Sequence, residues 1–253
     1  MIAIALQSGS NGNCIYVETS GVRLLFDAGI SGVTAEQRLA AHGREIRDVD
    51  GVIISHDHAD HAKFAGVYQR KYGLPLYITE KTLYAAENRC GLGRLHNVEI
   101  FRAGGVITFG SVSVFTTSTP HDGEDGAIFV VESGEKRLGI MTDLGHVFEG
   151  LVSEVASLDA VFMESNYDPP MLAAGPYPAF LKRRIEGPGG HISNIESAEL
   201  LNSATRLRWA CLSHLSEQNN DPGVALKTHH AVLGRSLKLY TASRYSATGL
   251  LHV

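Results

Sequence analysis

A continuous apolar run that ends in a dense cluster of metal-binding side chains constrains this chain most. Residues 51–55, GVIIS, suit a strand buried on both faces, and residues 55–61, SHDHADH, place three histidines and two aspartates directly after it. Burying so many ionisable groups without partners is costly, or forces them to neutralise. We therefore expect metal to hold this cluster together at the carboxyl end of a strand.

More candidate ligands stand in the same context further along the chain. Within residues 56–61 the pattern is H-x-H-x-D-H, and later apolar runs end in VFTTSTPH, RLGIMTD and WACLSH. Imidazole nitrogens and carboxylates suit Zn, Mn or Fe, and one tetrahedral ion does not need them all. The candidate ligands are His56, His58, Asp60, His61, His121, Asp143 and His214.

Composition limits the class of protein. The chain has 253 residues, 44% of them apolar and 19% charged, which is typical of a soluble globular protein. A net charge of -5 excludes a broadly basic nucleic-acid binder but leaves room for a local basic patch. An apolar run of membrane-spanning length, a signal sequence and paired cysteines are all absent from the sequence, so we expect a cytoplasmic protein with no membrane partner.

The order of elements predicts one domain across residues 1–253. Short β-rich segments come first, and a helix follows them that a capping box at Thr34 and Gln37 would open. A second β-rich block covers 98–142, and helices and a strand follow it, including a helix capped at Ser193 and Glu196 and one with Pro222 in its first turn. Each half thus consists of strands followed by αβ units, which predicts an α/β fold of four layers.

These motifs together resemble the metallo-β-lactamase superfamily, whose αββα sandwich binds two metals between its sheets. The resemblance implies that one metal takes His56, His58 and His121, that the other takes Asp60, His61 and His214, and that Asp143 bridges them. It also implies that Asp27, in LLFDAG, supports the ligands by hydrogen bonding. We interpret the histidines outside this set and outside residue 191 as ordinary core or surface residues: His42, His96, His146, His229, His230 and His252.

Longer stretches resemble one branch of that superfamily, the YycJ/WalJ-type relatives of the RNase J and RNase Z nucleases. They are SGSNGNCIYVE, ESNYDPPML, GPYPAFLKRRI and GHISN. The resemblance implies a 5′→3′ exonuclease that acts on DNA through a metal-bridged hydroxide, with two divalent ions, Zn or Mn foremost and Fe as a further option. The chain has no room for the inserted β-CASP domain of the larger relatives.

Further residues fit phosphodiester chemistry. Glu164 ends an apolar run and His191 lies in a Gly-rich loop, so we expect a carboxylate-oriented imidazole that assists at the phosphate, with Asp60 as a third catalytic residue. The alternative for His191 is a loop residue that helps to cap a helix. Ser193 and Asn194 could help a helix N-terminus to bind phosphate, or could only cap the helix, and Lys182, Arg183 and Arg184 could contact phosphates or form a solvated face.

Two other functions stay open at this level. A small-molecule hydrolase of the same fold, acting on a cyclic phosphodiester, a thioester or a lactone, would use the same metals, because the site alone does not select the substrate. A non-catalytic, metal-stabilised nucleic-acid-binding module is disfavoured, since structural sites are usually closed with four ligands.

Overall fold

Two seven-stranded sheets lie at the centre of the computed structural model, which describes residues 1–233 and 237–253. The first sheet has the order β14-β1-β2-β3-β4-β5-β6 and the second the order β13-β12-β11-β10-β9-β8-β7. The strands of the first are β1 Ile2–Gln7, β2 Cys14–Thr19, β3 Val22–Phe26, β4 Gly51–Ile53, β5 Leu76–Thr79, β6 Val98–Phe101 and β14 Leu251–His252. Those of the second are β7 Val106–Phe109, β8 Val112–Ser118, β9 Ala127–Ser133, β10 Lys136–Met141, β11 Ala160–Glu164, β12 Trp209–Ser213 and β13 Lys238–Thr241.

Both sheets change from antiparallel to parallel pairing in the middle. Strands β1 to β3 pair antiparallel and β3 to β6 pair parallel, while β7 to β10 pair antiparallel and β10 to β13 pair parallel. Parallel neighbours need crossover connections, which helices supply here. The carboxyl ends of the parallel strands of each sheet therefore meet at one edge.

Helices cover the outer faces of both sheets. They are α1 Gly32–Ala40, α2 Ala59–Ala62, α3 Ala65–Tyr72, α4 Glu80–Cys90, α5 Leu151–Ala156, α6 Pro169–Ala174, α7 Ala179–Glu186, α8 Asn194–Ser203 and α9 Pro222–Val232, with a 3₁₀ turn at Ile46–Asp48. One apolar cluster packs α1, α3 and α4 on the first sheet, and another packs α5, α8 and α9 on the second. None of the described helices is long and apolar enough to cross a bilayer.

The core between the sheets joins the two halves of the chain. Phe26 of β3 lies against Phe129 of β9 with 5.2 Å between ring centroids, and Phe162 of β11 packs on Trp209 of β12. Alternate residues of β9 point the other way, toward the helices, and every residue of the strand except Glu132 is buried. The layers therefore follow the order α, β, β, α, which confirms the predicted fold, and this shared core supports the prediction of one domain.

The helix caps confirm one prediction and correct another. Ser193 and Glu196 form the expected capping box at the start of α8. Helix α1 instead begins after Ser31, whose Oγ accepts a hydrogen bond from the Thr34 backbone N–H at 3.1 Å, so the capping box predicted at Thr34 and Gln37 is wrong. Ser31 sits three residues before Thr34 and competes for the same role, because either hydroxyl can accept from a free helical N–H.

Candidate metal centre

The candidate site residues follow strands that end at the same edge. Asp27 comes directly after β3, the H-x-H-x-D-H run follows β4, and His214 comes directly after β12. Ligands in open α/β sheets commonly lie at the carboxyl ends of the strands. Here both sheets bring such ends together, and all seven predicted ligands converge: His56, His58, Asp60, His61, His121, Asp143 and His214.

Three of the candidate site residues, counting Asp27 with the seven ligands, have a left-handed backbone. The φ angle is 65° at Asp27, 58° at Asp143 and 55° at His214. Positive φ is uncommon outside glycine, and it ends a strand abruptly by turning the chain away from the sheet direction. All three residues therefore stand at sharp strand ends, with their side chains in the region between the sheets.

Three imidazoles form the first cluster. The His56, His58 and His121 rings offer one nitrogen each within 4.8 Å of one another, and His58 Nδ1 lies 3.2 Å from His121 Nε2. The His121 ring is oriented by its Nδ1, which donates to the Gly190 carbonyl at 2.8 Å. His56 Nε2 is buried and has no hydrogen-bond partner in the described part of the chain. Within this cluster the His56 nitrogen Nε2 is thus left unpaired.

The second cluster combines a carboxylate with two imidazoles. Asp60 Oδ2 lies 3.3 Å from His214 Nε2 and 3.6 Å from His61 Nε2. His61 is fully buried, and its Nδ1 donates to Asp27 Oδ2 at 2.7 Å, which leaves Nε2 directed at the cluster. This contact is the one that the family resemblance implies for Asp27.

Asp143 lies between the two clusters. Its Oδ2 is 3.1 Å from His61 Nε2, and its Oδ1 is 3.4 Å from His214 Nδ1 and 3.6 Å from His121 Nε2. Although Oδ2 is close to His61, no aligned hydrogen bond satisfies it within the described residues. A buried carboxylate oxygen and the His56 nitrogen are thus both unpaired and face the same space, which fits divalent metal ions held by imidazole and carboxylate.

The site's electrostatics divide its histidines. Burial lowers the pKa of His58 to about 4 and holds that of His56 well below its usual range. Burial acts in the same direction on His214, but Asp143 and the other nearby carboxylates outweigh it and raise the His214 pKa to about 10. In the absence of metal the second cluster therefore holds protons, and metal binding has to displace them.

His191 and Glu164 form a pair beside Asp143. His191 Nδ1 donates to Glu164 Oε1 at 2.6 Å and lies 3.6 Å from Asp143 Oδ1. The other Glu164 oxygen accepts from the backbone N–H groups of Leu144 and Ile192 at 3.0 and 3.3 Å. Burial alone would raise the Glu164 pKa, but the two nearby histidines lower it to about 2. The carboxylate is thus fixed and ionised, and the His191 ring is oriented with Nε2 free of it.

The loop SGSNGN supports the second cluster, which the sequence did not indicate. Asn13 is buried and its Nδ2 lies 3.0 Å from His61 Nε2 and 3.3 Å from the Asp60 carbonyl oxygen. Ser8 Oγ donates to Asn13 Oδ1 and accepts from the His214 backbone N–H. The polar residues of this turn are visible in the sequence, but their partners lie far away along the chain, so their role could not be inferred from it.

Gly29 fixes the backbone of the same cluster by close contact. A Cβ atom placed on Gly29 would lie 1.7 Å from the Asp60 carbonyl oxygen, and the Ala28 backbone N–H donates to the His61 carbonyl at 2.7 Å. The segment with Asp60 and His61 thus packs directly on the turn after β3, where no side chain fits.

The side chains of Ser193 and Asn194, which were expected to bind phosphate, are occupied by other contacts. Asn194 is fully buried, and its amide contacts Ser165 and Asn220, so its side chain cannot reach a phosphate in the cleft. The Ser193 hydroxyl is engaged in the helix cap, as the alternative interpretation held. The expectation of phosphate contacts from these two side chains is corrected accordingly.

The three basic residues of α7, Lys182 to Arg184, differ in whether they reach the cavity. Arg184 lines the cavity beside the metal centre, and its guanidinium makes two hydrogen bonds to Asp122, at 2.6 and 2.9 Å. Lys182 donates to the Ala173 carbonyl at 2.7 Å, and neither it nor the exposed Arg183 lines that cavity. Asp122, which directly follows the candidate ligand His121, was not predicted.

An open cavity of about 500 Å³ gives access to the centre. Its lining includes Ser10, Asp60, Arg89, Arg184 and His191, together with Asp143 and His214. This volume accommodates a ligand of nucleotide size, within the range of ordinary small-molecule sites.

Comparison with known proteins agrees with the geometry. The family model described as the metallo-beta-lactamase superfamily matches residues 8–189. The chain is 35% identical over 259 residues to the exodeoxyribonuclease WalJ of Streptococcus pneumoniae serotype 2, strain D39, covering 98% of this chain and 96% of that protein. It is 36% identical over 219 residues to the exodeoxyribonuclease YycJ of Bacillus anthracis, covering 85% and 82%.

A solved structure shows the same fold at lower identity. The metallo-beta-lactamase fold protein YhfI from Bacillus subtilis superposes with a TM-score of 0.74 at 16% identity, covering 98% of both chains. Two central sheets, strand-end ligands and the matched family model lead to one conclusion: this chain belongs to the metallo-beta-lactamase superfamily.

Proposed function

We propose that this chain is a dimetal-dependent phosphodiesterase that degrades DNA exonucleolytically in the 5′→3′ direction. The observation that supports this most is the His191–Glu164 pair, an oriented imidazole outside the two triads that the family resemblance assigns to metal, although with Asp143 and His214 the pair forms a further group close enough to hold an ion. Its presence beside Asp143 fits a reaction in which a leaving oxygen takes up a proton. The names of the two relatives, both exodeoxyribonucleases, support the choice of nucleic acid, and of DNA in particular.

In this proposal His56, His58 and His121 would hold one metal ion, Asp60, His61 and His214 would hold the other, and Asp143, which lies between the two triads, would be shared by both. Two bound divalent ions, Zn or Mn by the donor set, would supply a water of lowered pKa and charge stabilisation at the phosphoryl oxygens. Asp27 and Ser55 keep the His61 ring in place, since the Asp27 carboxylate accepts from His61 Nδ1 and from the Ser55 hydroxyl.

His191 acts as the proton donor to the leaving oxygen. Glu164 accepts from its Nδ1, and this leaves Nε2 free. The His191 side chain itself lines the cavity. Two backbone N–H groups hold the carboxylate, so the ring cannot reorient without breaking a buried network. A positioned acid of this kind typically accelerates a reaction by ~10²- to 10⁴-fold.

Arg184 is the residue of the basic stretch that we assign to phosphate. Its guanidinium is half-exposed at the cavity, and the Asp122 pair fixes its direction. Lys182 and Arg183 lie outside the cavity, and for them the solvated-face interpretation is the better one. We also retain the cytoplasm as the proposed location, which the three free thiols Cys14, Cys90 and Cys211 support.

The test is a labelled-substrate assay. Metal-loaded protein is incubated with single- and double-stranded DNA and RNA labelled at the 5′ or the 3′ end. Early release of labelled mononucleotide from the 5′-labelled DNA strand, with progressive shortening of the 3′-labelled one, is the expected result. Hydrolysis of an aryl or cyclic phosphodiester without any of DNA would favour the small-molecule hydrolase, and DNA binding without hydrolysis would favour the binding module.

A further inference from the structure

Arg89 is a second guanidinium at the cavity that the proposed mechanism does not use. It lies in the last turn of α4, its side chain is 50% exposed, and it lines the cavity beside Asp60 and His58. Helix α4 belongs to the first half of the chain, whereas Arg184 comes from α7 in the second half. The cavity therefore has an arginine from each half of the chain.

A buried acid fixes Arg89. Asp57 is completely buried, and its Oδ1 accepts from the Glu124 backbone N–H at 2.7 Å. Its Oδ2 lies 2.8 Å from Arg89 Nε, an ion pair without an aligned hydrogen bond among the described residues. No other ion pair or hydrogen bond of Arg89 is found in the described residues. Because Nε makes the ion pair, the two terminal nitrogens of the guanidinium are left for a ligand. Oxygen atoms of a phosphate are the ligands that such a fork binds best.

The same arrangement of an acid and an arginine occurs twice beside the candidate metal ligands. Asp57 stands between the candidate ligands His56 and His58, and Asp122 directly follows the candidate ligand His121. Each of these acids holds one cavity arginine, at 2.8 Å in one case and 2.6 Å in the other. The positions of both guanidinium groups are thus tied to the backbone that positions the metal ligands.

We propose that Arg89 binds a backbone phosphate of the nucleic-acid strand, next to the phosphate that is cleaved. The inference rests on the proposed function and adds a substrate contact to it. A strand bound in the cavity would then meet one guanidinium from each half of the chain. The adjoining groove along α4 is lined by Lys81 and Arg89 as well as by the acids Glu80 and Glu124.

The test compares Arg89→Gln with Arg23→Gln. Arg23 is the control, since its side chain is 43% exposed, its guanidinium pairs with Asp48 at 3.5 Å, and it lies near the start of β3, away from the strand ends that form the site. Binding is measured by fluorescence anisotropy on a nuclease-resistant phosphorothioate single strand, over a range of salt concentrations. Metal content and kcat on an aryl phosphodiester are measured in parallel.

We expect Arg89→Gln to weaken strand binding about tenfold and to reduce the slope of log K against log salt by about 0.7, the value for one contact to a single strand. Metal content should match wild type, any loss of kcat on the aryl ester should be smaller than the loss of strand binding, and Arg23→Gln should match wild type throughout. Strand binding by Arg89→Gln equal to that of Arg23→Gln would overturn the inference. Absence of strand binding in wild type would instead overturn the proposed function itself.

A second variant separates a phosphate contact from neutralisation of Asp57. Asp57→Asn combined with Arg89→Gln removes the buried charge together with its partner, while the amide oxygen can still accept from the Glu124 N–H. If Arg89 binds phosphate, the double variant binds the strand as weakly as Arg89→Gln. Restored strand binding in the double variant, or loss of metal in both variants, would show that Arg89 acts only through the ligand backbone.

Discussion

The His191–Glu164 pair allows the sharpest test of the proposed chemistry. His191→Ala removes the ring, and loss of a positioned proton donor should lower kcat on DNA by ~10²- to 10⁴-fold, or about 3 to 5 kcal/mol of barrier. Glu164→Gln leaves the ring in place but replaces a buried 2.6 Å charge-assisted hydrogen bond, worth about 1.5 to 3 kcal/mol, so it should cost roughly 10- to 100-fold.

The order of these two effects follows from how Glu164 is held. Its second oxygen accepts from two backbone N–H groups, so in Glu164→Gln the amide oxygen takes that position and the NH₂ group faces His191. His191 Nδ1 must then accept, which reverses the tautomer without removing the ring. Metal content should stay at two ions per chain in both variants, because neither residue belongs to the two ligand triads.

The assay measures kcat on DNA and on an aryl phosphodiester, together with metal content and thermal unfolding. A good leaving group needs little protonation, so the aryl ester should be hydrolysed with a smaller loss in His191→Ala. His146→Ala is the control, since its ring also makes a hydrogen bond through Nδ1, to the Pro188 carbonyl at 2.7 Å, but does not line the cavity. Wild-type rates on DNA in His191→Ala would refute the reasoning, and loss of a metal ion would make His191 a ligand.

Three further outcomes are expected. Asp143→Ala should lower the content of both metal ions, since its carboxylate lies between the triads; two ions retained, by elemental analysis, would contradict the bridging role. Gly29→Ala should displace the Asp60 carbonyl that its Cβ would meet at 1.7 Å and weaken metal binding, measured by chelator competition, whereas Gly249→Ala, at a glycine with open space, should not. Burial lowers the pKa of His229 to about 4, below its value near 6.5 in the unfolded chain. The contribution of the neutral, buried ring to the free energy of unfolding is therefore complete above pH ~6.5 and is lost as the pH falls toward 4, by about 3 kcal/mol at most. Chemical unfolding of metal-free protein should show a shallower loss in this range for His229→Gln; an unchanged pH slope would count against this assignment.

The sequence predicted those parts of the site that depend on local order. Buried strands appear as apolar runs, and a ligand that directly follows such a run must lie at a sheet edge, as with Asp143 and His214. It also predicted the Glu164–His191 pair, because a carboxylate at a strand end and a histidine in a Gly-rich loop are both visible in the chain.

Contacts between distant segments were not predictable in the same way. Asn13 and Arg89 take their roles from partners on other elements, and hydrogen-bonding residues in a turn or at a helix end have many possible partners. Asn194 looked available to phosphate, but it is buried in a polar network with Ser165 and Asn220 that only the packed fold creates. Two short strands in the C-terminal 16 residues were missed for a related reason, since β14 exists only by pairing with β1.

The left-handed backbone at Asp27, Asp143 and His214 affects which substitutions are favoured at these positions during evolution. Each such residue costs on the order of 1 kcal/mol that glycine would not, and asparagine tolerates the conformation better than histidine. Asp27 also serves folding, because its carboxylate accepts from the buried Ser55 backbone N–H and hydroxyl. Asp143 Oδ2 has no hydrogen bond among the described residues, so metal-dependent function keeps Asp143, while folding alone favours its replacement. In a descendant released from selection for activity, Asp143 should be among the first positions to become glycine or asparagine, and the resulting metal-free protein should melt at a higher temperature than its active ancestor stripped of metal.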